Sequence, residues 1–96
     1  MIKFKGTNCE LDKKYYGNGR IAIVLINAIT QTTQCVATVN LPDIHLEADE
    51  VCIKDYAENI GVLKALVNEK IISEPIRFTQ SGYVNIPICK LLKQDI

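Results

Sequence analysis

The side chains best suited to chemistry lie together near the start of the chain, in Lys13-Lys14-Tyr15-Tyr16-Gly17-Asn18-Gly19-Arg20. Cations and paired tyrosines surround a glycine-rich turn, a combination suited to an anion or a flat ring. The N–H groups of a short glycine turn can add to an anion's environment. This is no Walker loop, and no Gly-x-Gly-x-x-Gly leads into a helix, so the turn specifies no nucleotide fold. Strand alternation sends Lys13 and Tyr15 to one face and Lys14 and Tyr16 to the other, which divides the cluster unless the turn twists it. Arg77 and Tyr83 are the only similar pair elsewhere. The candidate contact residues are therefore Lys13, Lys14, Tyr15, Tyr16, Asn18, Arg20, Arg77 and Tyr83. Their expected partner is an anionic small ligand such as a nucleotide, or an acidic protein surface. The plainer reading makes the tyrosines amphipathic side chains that close the end of a sheet.

Other chemistry is thinner. His45 is the single histidine, set among acids in Asp43-Ile44-His45-Leu46-Glu47-Ala48-Asp49-Glu50. A neighbouring carboxylate can raise an imidazole's pKa and make it a base. No serine or cysteine sits in a nucleophile motif, however, so no catalytic residues are assigned. If the segment were extended, Asp43, His45, Glu47 and Asp49 would share one side, an arrangement that suits a divalent ion. Ile44, Leu46 and Ala48 alternate with them, which is equally the pattern of a half-buried segment with a wet face. Cys9, Cys35, Cys52 and Cys89 form no Cys-x-x-Cys pair. They read as reduced, mostly buried thiols, with no metal site and no cofactor expected.

The elements that position these residues follow from periodicity. Residues 2–5 and 9–16 read as strands, and the 17–19 turn leads into a strand over 20–27 whose Ile21-Ala22-Ile23-Val24-Leu25-Ile26 run is apolar on both faces. Residues 34–40 alternate as the next strand of an antiparallel meander. Residues 42–49 form an irregular acidic crossing, and 50–54 a short strand. Asp55 with Glu58 reads as a capping box opening a helix over about 56–70, with Tyr56, Ile60, Leu63 and Val67 on its buried stripe. Gly61 within it costs up to about 1 kcal/mol relative to alanine. Ile71 and Ile72 fold back before Pro75. Residues 76–79 and 83–91 form the last strands around Gln80-Ser81-Gly82, and Pro87 predicts that the final strand is an edge or bulged. Residues 93–96 are expected to fray. The fold class is α+β: a small, mostly antiparallel sheet of about five to seven strands with one helix on one face, in a single domain over residues 1–96.

Composition narrows the function classes. At 48% hydrophobic and 23% charged, the 96-residue chain has the makings of a packed core. Its formal net charge is zero, which argues against general DNA binding. The charges are segregated: residues 1–20 are basic and 41–59 acidic, giving either a polar molecule or two segments that pair. No secretory signal or membrane-spanning run is visible, so the expected location is cytoplasmic. A single helix cannot cover both faces of the 21–26 strand, so the second face needs long loops, a strongly curved sheet or a second copy of the chain, and this deficit favours a homodimer.

The segments Met1-Ile2-Lys3-Phe4-Lys5-Gly6-Thr7, Val39-Asn40-Leu41-Pro42-Asp43, Val51-Cys52-Ile53-Lys54-Asp55-Tyr56 and Gly82-Tyr83-Val84-Asn85-Ile86-Pro87-Ile88-Cys89 resemble a family of small uncharacterised proteins. That family is carried by phages and conjugative elements of gut bacteria. The resemblance covers nearly the whole chain, and no functional residue of the family carries over. It implies a non-enzymatic accessory protein that acts in counter-defence, by sequestering a nucleotide signal or by blocking a host defence protein. The alternative is a structural or assembly module that uses an exposed sheet face or edge strand.

Overall fold

Seven strands and one short helix account for the computed structural model, which describes all of residues 1–96. Strands β1 (Ile2–Phe4), β2 (Thr7–Tyr15), β3 (Ile21–Asn27) and β4 (Thr33–Val36) form an antiparallel sheet in chain order. Strands β5 (Glu50–Cys52), β6 (Arg77–Ser81) and β7 (Val84–Lys90) form a second antiparallel sheet in the order β5-β7-β6. The α+β class with mostly antiparallel strands therefore holds, with the strands shared between two sheets.

Residues 37–39 explain the division. The Ala37 N–H donates to the Ile23 carbonyl at 2.8 Å, while the Ala37 carbonyl accepts from Lys54 at 2.8 Å. Thr38 then bridges Ile53, and the Val39 N–H donates to Cys52 at 3.0 Å. The alternating segment read as one strand leaves the first sheet after Val36 and hands its hydrogen bonds to the second. A register shift between Leu25 and Ile26 lies at the other end of β4, where Gln34 is the extra residue.

One core joins everything. Ile2, Phe4, Ile23 and Leu25 from the first sheet pack with Val51, Ile53 and Leu91 from the second side and with Val62 and Leu66 of the helix. A smaller cluster of Cys52, Ile86 and Ile88 is covered by Leu41, Ile44, Leu46 and Tyr56. The acidic crossing thus has an apolar underside.

Three expectations are corrected. The helix α1 spans only Val62–Asn68, preceded by a separate 3-10 turn over Ala57–Asn59. Gly61, at φ 100°, stops one from running into the other, in a conformation that favours glycine. A Cβ there would meet nothing closer than Phe4 Cε1 at 3.8 Å, so the dihedral and not crowding is the constraint. Asp55 still caps, but its Oδ1 accepts from Gly61 at 2.9 Å and Leu63 at 3.1 Å, so it serves α1 from a distance. Glu58 turns to Lys54 instead of completing a box, and Ile60 is 64% exposed instead of buried on a stripe.

Second, β7 is the central strand of its sheet despite Pro87. The Pro87 carbonyl accepts from Ile53 at 3.0 Å, and its missing donor faces the same way, just past the end of β5 at Cys52. The loss falls where pairing was already ending. Third, residues 93–96 are tied down: Lys13 Nζ donates to the Gln94 carbonyl at 2.6 Å, and Ile96 packs against the core.

The second face of β3 also loses its claim on a partner. Ala22 and Val24 are 5% and 6% exposed within the single chain, beside Lys14, Asp12 and Val36 on that face. No second copy is needed to cover them.

Candidate functional site

The hairpin tip forms as the glycines demand. The Tyr16 N–H donates to the Arg20 carbonyl and the Gly19 N–H to the Tyr16 carbonyl, both at 2.8 Å, with Gly19 at φ 85°. Asn18 Oδ1 accepts from the Arg20 N–H at 3.3 Å, and Asn18 Nδ2 donates to Asn40 Oδ1 at 3.2 Å. The cations do not gather, however. Lys13 holds the C-terminal segment, and Lys14 lies 3.8 Å from Asp12. Tyr15 is 63% exposed, whereas the Tyr16 hydroxyl bonds the buried Thr38 hydroxyl at 2.9 Å.

Both arginines are spent on the acidic crossing. Arg20 Nη1 donates to the Leu41 carbonyl at 2.6 Å and Nη2 to the Ile44 carbonyl. Arg77 grips both oxygens of Glu50 at 2.9 Å each and also donates to the His45 carbonyl at 3.0 Å. Such a fork matches a carboxylate in plane and is among the stronger protein ion pairs. The Glu50 side chain is only 4% exposed, and Oε1 takes a further bond from the Glu47 N–H at 2.9 Å. Those contacts, Arg77 first, hold the Glu50 carboxyl down to about 2. Basic and acidic stretches of the sequence do meet here, through Arg20 and backbone carbonyls. Tyr83, fully exposed at the β6–β7 turn, lies along the strand from Arg77 and forms no pair with it.

The crossing itself is not extended. Residues 42–44 and 48–49 turn, so the alternate acids do not share a side. The His45 ring is in solvent, 3.2 Å from Glu47, and Asp49 faces Lys90 at 3.4 Å. All four cysteines are free thiols; burial pushes each one up, Cys89 to about 12, which keeps them protonated and weakly nucleophilic.

The polar groups left unspent converge elsewhere, in a cleft of about 400 Å³ between the end of β2, the 36–40 crossover and the 3-10 turn. That volume suits a small ligand. Tyr16 and Tyr56 both line it. Asn59 is 1% exposed; its Nδ2 donates to the Val36 carbonyl at 2.7 Å, which fixes the amide's orientation. The Asn59 Oδ1 has no partner in the chain and is not sealed in, so it offers an acceptor to the cleft. Asn40, whose Oδ1 is taken by Asn18, offers its NH2. At the rim stands Lys54, paired with the exposed Glu58 and 5.7 Å from the Tyr56 ring centroid. Aromatic faces, a donor, an acceptor and one exchangeable cation suit a planar heterocycle bearing an anion.

Of the residues singled out from sequence, the cleft contains Tyr16 alone, with Asn18 touching it through Asn40. Tyr56, Asn59, Asn40 and Lys54 were missed. Apolar spacing places Tyr56 on a helical stripe; the signal that argues otherwise is Gly61, which frees residues 56–60 from the helix. Ala57 at φ 55° marks the same break. No protein-family profile, curated protein or solved structure matches this chain.

Proposed function

We propose that this chain is a non-enzymatic binding protein that holds a nucleotide-like ligand between Tyr16 and Tyr56. In the phage or mobile-element setting that the family resemblance implies, this would sequester a host defence signal in the bacterial cytoplasm. The observation that carries the reading is the unpartnered acceptor of Asn59, a nearly fully buried side chain, in a cleft with two tyrosines. That oxygen is reached by solvent, so a ligand's donor can take the place of its water. No helix of the structure is long and apolar enough to cross a membrane, which fits a partner met away from a bilayer.

Sequestration needs no chemistry, only affinity. Stacking on an aromatic side chain contributes about 1–3 kcal/mol per base. The anion would draw Lys54 away from Glu58, whose side chain is 67% exposed and free to swing into water. Isothermal titration with a panel of mono-, di- and cyclic nucleotides tests the reading. Saturable heat whose affinity Tyr56→Ala lowers about tenfold or more, with the fold intact by circular dichroism, is the expected result. Absence of binding across the panel, or binding indifferent to Tyr56, would refute it.

A second reading, an assembly module or a block on a host defence protein, has one observation in its favour. The β6–β7 hairpin exposes Ile76, Phe78 and Tyr83 together.

A further inference from the structure

The free edge of β6 differs from every other sheet edge in this molecule. β1 carries Lys3, is three residues long and lies against α1. β4 has its Val36 carbonyl capped by Asn59. β5 is continued by Ile53, which bridges Thr38. These are the usual ways of keeping an edge from recruiting another strand: charge, brevity and cover. β6 has five residues, Arg77-Phe78-Thr79-Gln80-Ser81, with no lysine, no proline and no register shift against β7. Its one charge is turned inward to Glu50.

The groups that this edge presents follow from pairing. Pro87 sends its carbonyl to Ile53, away from β6. Phe78 stands opposite Pro87, so Phe78 and Pro87 do not bond each other, and the Phe78 N–H and C=O point to the open side. Gln80, two residues on and opposite Asn85, does the same. Thr79 between them points its backbone inward, at Ile86. The open edge therefore offers donor and acceptor at Phe78 and again at Gln80. The Phe78 side chain is 55% exposed there.

We propose that the β6 edge pairs antiparallel with the β6 edge of a second copy, about a two-fold axis at Thr79, making one continuous six-stranded sheet. In that register Phe78 faces Gln80 of the other copy and Gln80 faces its Phe78. Each such pair exchanges both of its N–H···O bonds. Thr79 meets Thr79 at the axis as a close, non-hydrogen-bonded pair, a favourable match for threonine. Arg77 falls opposite Ser81, so no like charges meet. The two Phe78 rings lie on the same face in diagonal positions, within reach of each other. The segment is thus complementary to itself in hydrogen bonds, charge and apolar placement, which a two-fold interface requires. This assignment does not depend on the ligand cleft, which lies at the 36–40 crossover and not on this hairpin.

Sedimentation equilibrium of the full chain tests it. A reversible dimer is expected. Gln80→Pro removes an outward donor and no β7 bond, and should give a monomer with an unchanged circular dichroism spectrum. Thr79→Cys places two thiols across the axis at a spacing a disulfide spans, so mild oxidation should give a covalent dimer that the unsubstituted chain does not. Thr79→Lys, which sets two ammonium groups face to face, serves as the check should Gln80→Pro disturb folding; it too should give a monomer. A chain that stays monomeric at all concentrations overturns the proposal, and leaves the edge to a strand of some other protein. So does a dimer that withstands both Thr79→Lys and a folded Gln80→Pro.

Discussion

Two polar regions of this molecule face opposite ways in energetic terms. At the 41–50 crossing, the two guanidinium groups are spent: Arg20 and Arg77 together bind three backbone carbonyls and one buried carboxylate. In the Tyr16–Tyr56 cleft, the groups are mostly uncharged and several remain unspent. The charge-rich region is scaffold, and the modest amides and phenols are what is left for a ligand. A cation's availability depends on what already holds it, and both arginines are held within the chain.

The largest expected effect lies in the scaffold. Arg77→Ala leaves Glu50 buried without its fork and should clearly lower the unfolding free energy. Urea denaturation measures it; an unchanged midpoint would mean the clamp holds nothing. The same pair predicts a pH dependence. The Glu50 carboxyl is lowered from 4.5 to about 2 in the fold, so its stabilising contribution is complete above pH 4.5 and is lost as pH falls towards 2. Stability in acid should therefore decline more gently in Arg77→Ala, which has already lost that contribution.

Next comes the cleft. Tyr56→Ala should weaken nucleotide binding about tenfold or more through lost stacking, with some loss of stability because Tyr56 also covers the Cys52, Ile86 and Ile88 cluster. Asn59→Ala in the same titration distinguishes stacking from edge recognition, since it removes the acceptor and keeps both rings. A subtler effect has the opposite sign. Glu58→Gln releases Lys54 and should tighten binding of anionic ligands several-fold while leaving stability nearly unchanged, as for most exposed pairs. Binding that weakens instead would show that Lys54 does not meet the anion.

The smallest effect tests the hairpin tip. Lys14→Ala and Tyr15→Ala, both at exposed positions, should change stability by no more than about 0.5 kcal/mol and leave nucleotide affinity unchanged. If either abolishes binding, the basic tip and not the cleft is the site, and the contrast drawn above fails.

The local features were legible. The 17–19 turn, the doubly buried β3 and the α+β class follow from glycine placement and hydrophobic period, which act over a few residues. The helix was overextended because its apolar spacing continues through Ile60, and only the φ of Gly61 stops it. Pro87 misled because an absent donor matters only where a neighbour would have used it, and β5 had ended. Tyr16 was found and Tyr56 was not, since only the first sits beside an obvious turn.

By itself, then, the sequence determined the elements whose reasons are local: the hairpin with its buried strand, the α+β class and the tyrosine at the turn. The tertiary structure decided which charges are free. Arg20 finds its carbonyls 21 and 24 residues away, Arg77 finds Glu50 27 residues away, and Asn59 reaches Val36 across 23. No period or motif encodes such pairings. They arise when two sheets join through residues 37–39, and burial then sets which groups must bond within the chain and which remain for a ligand.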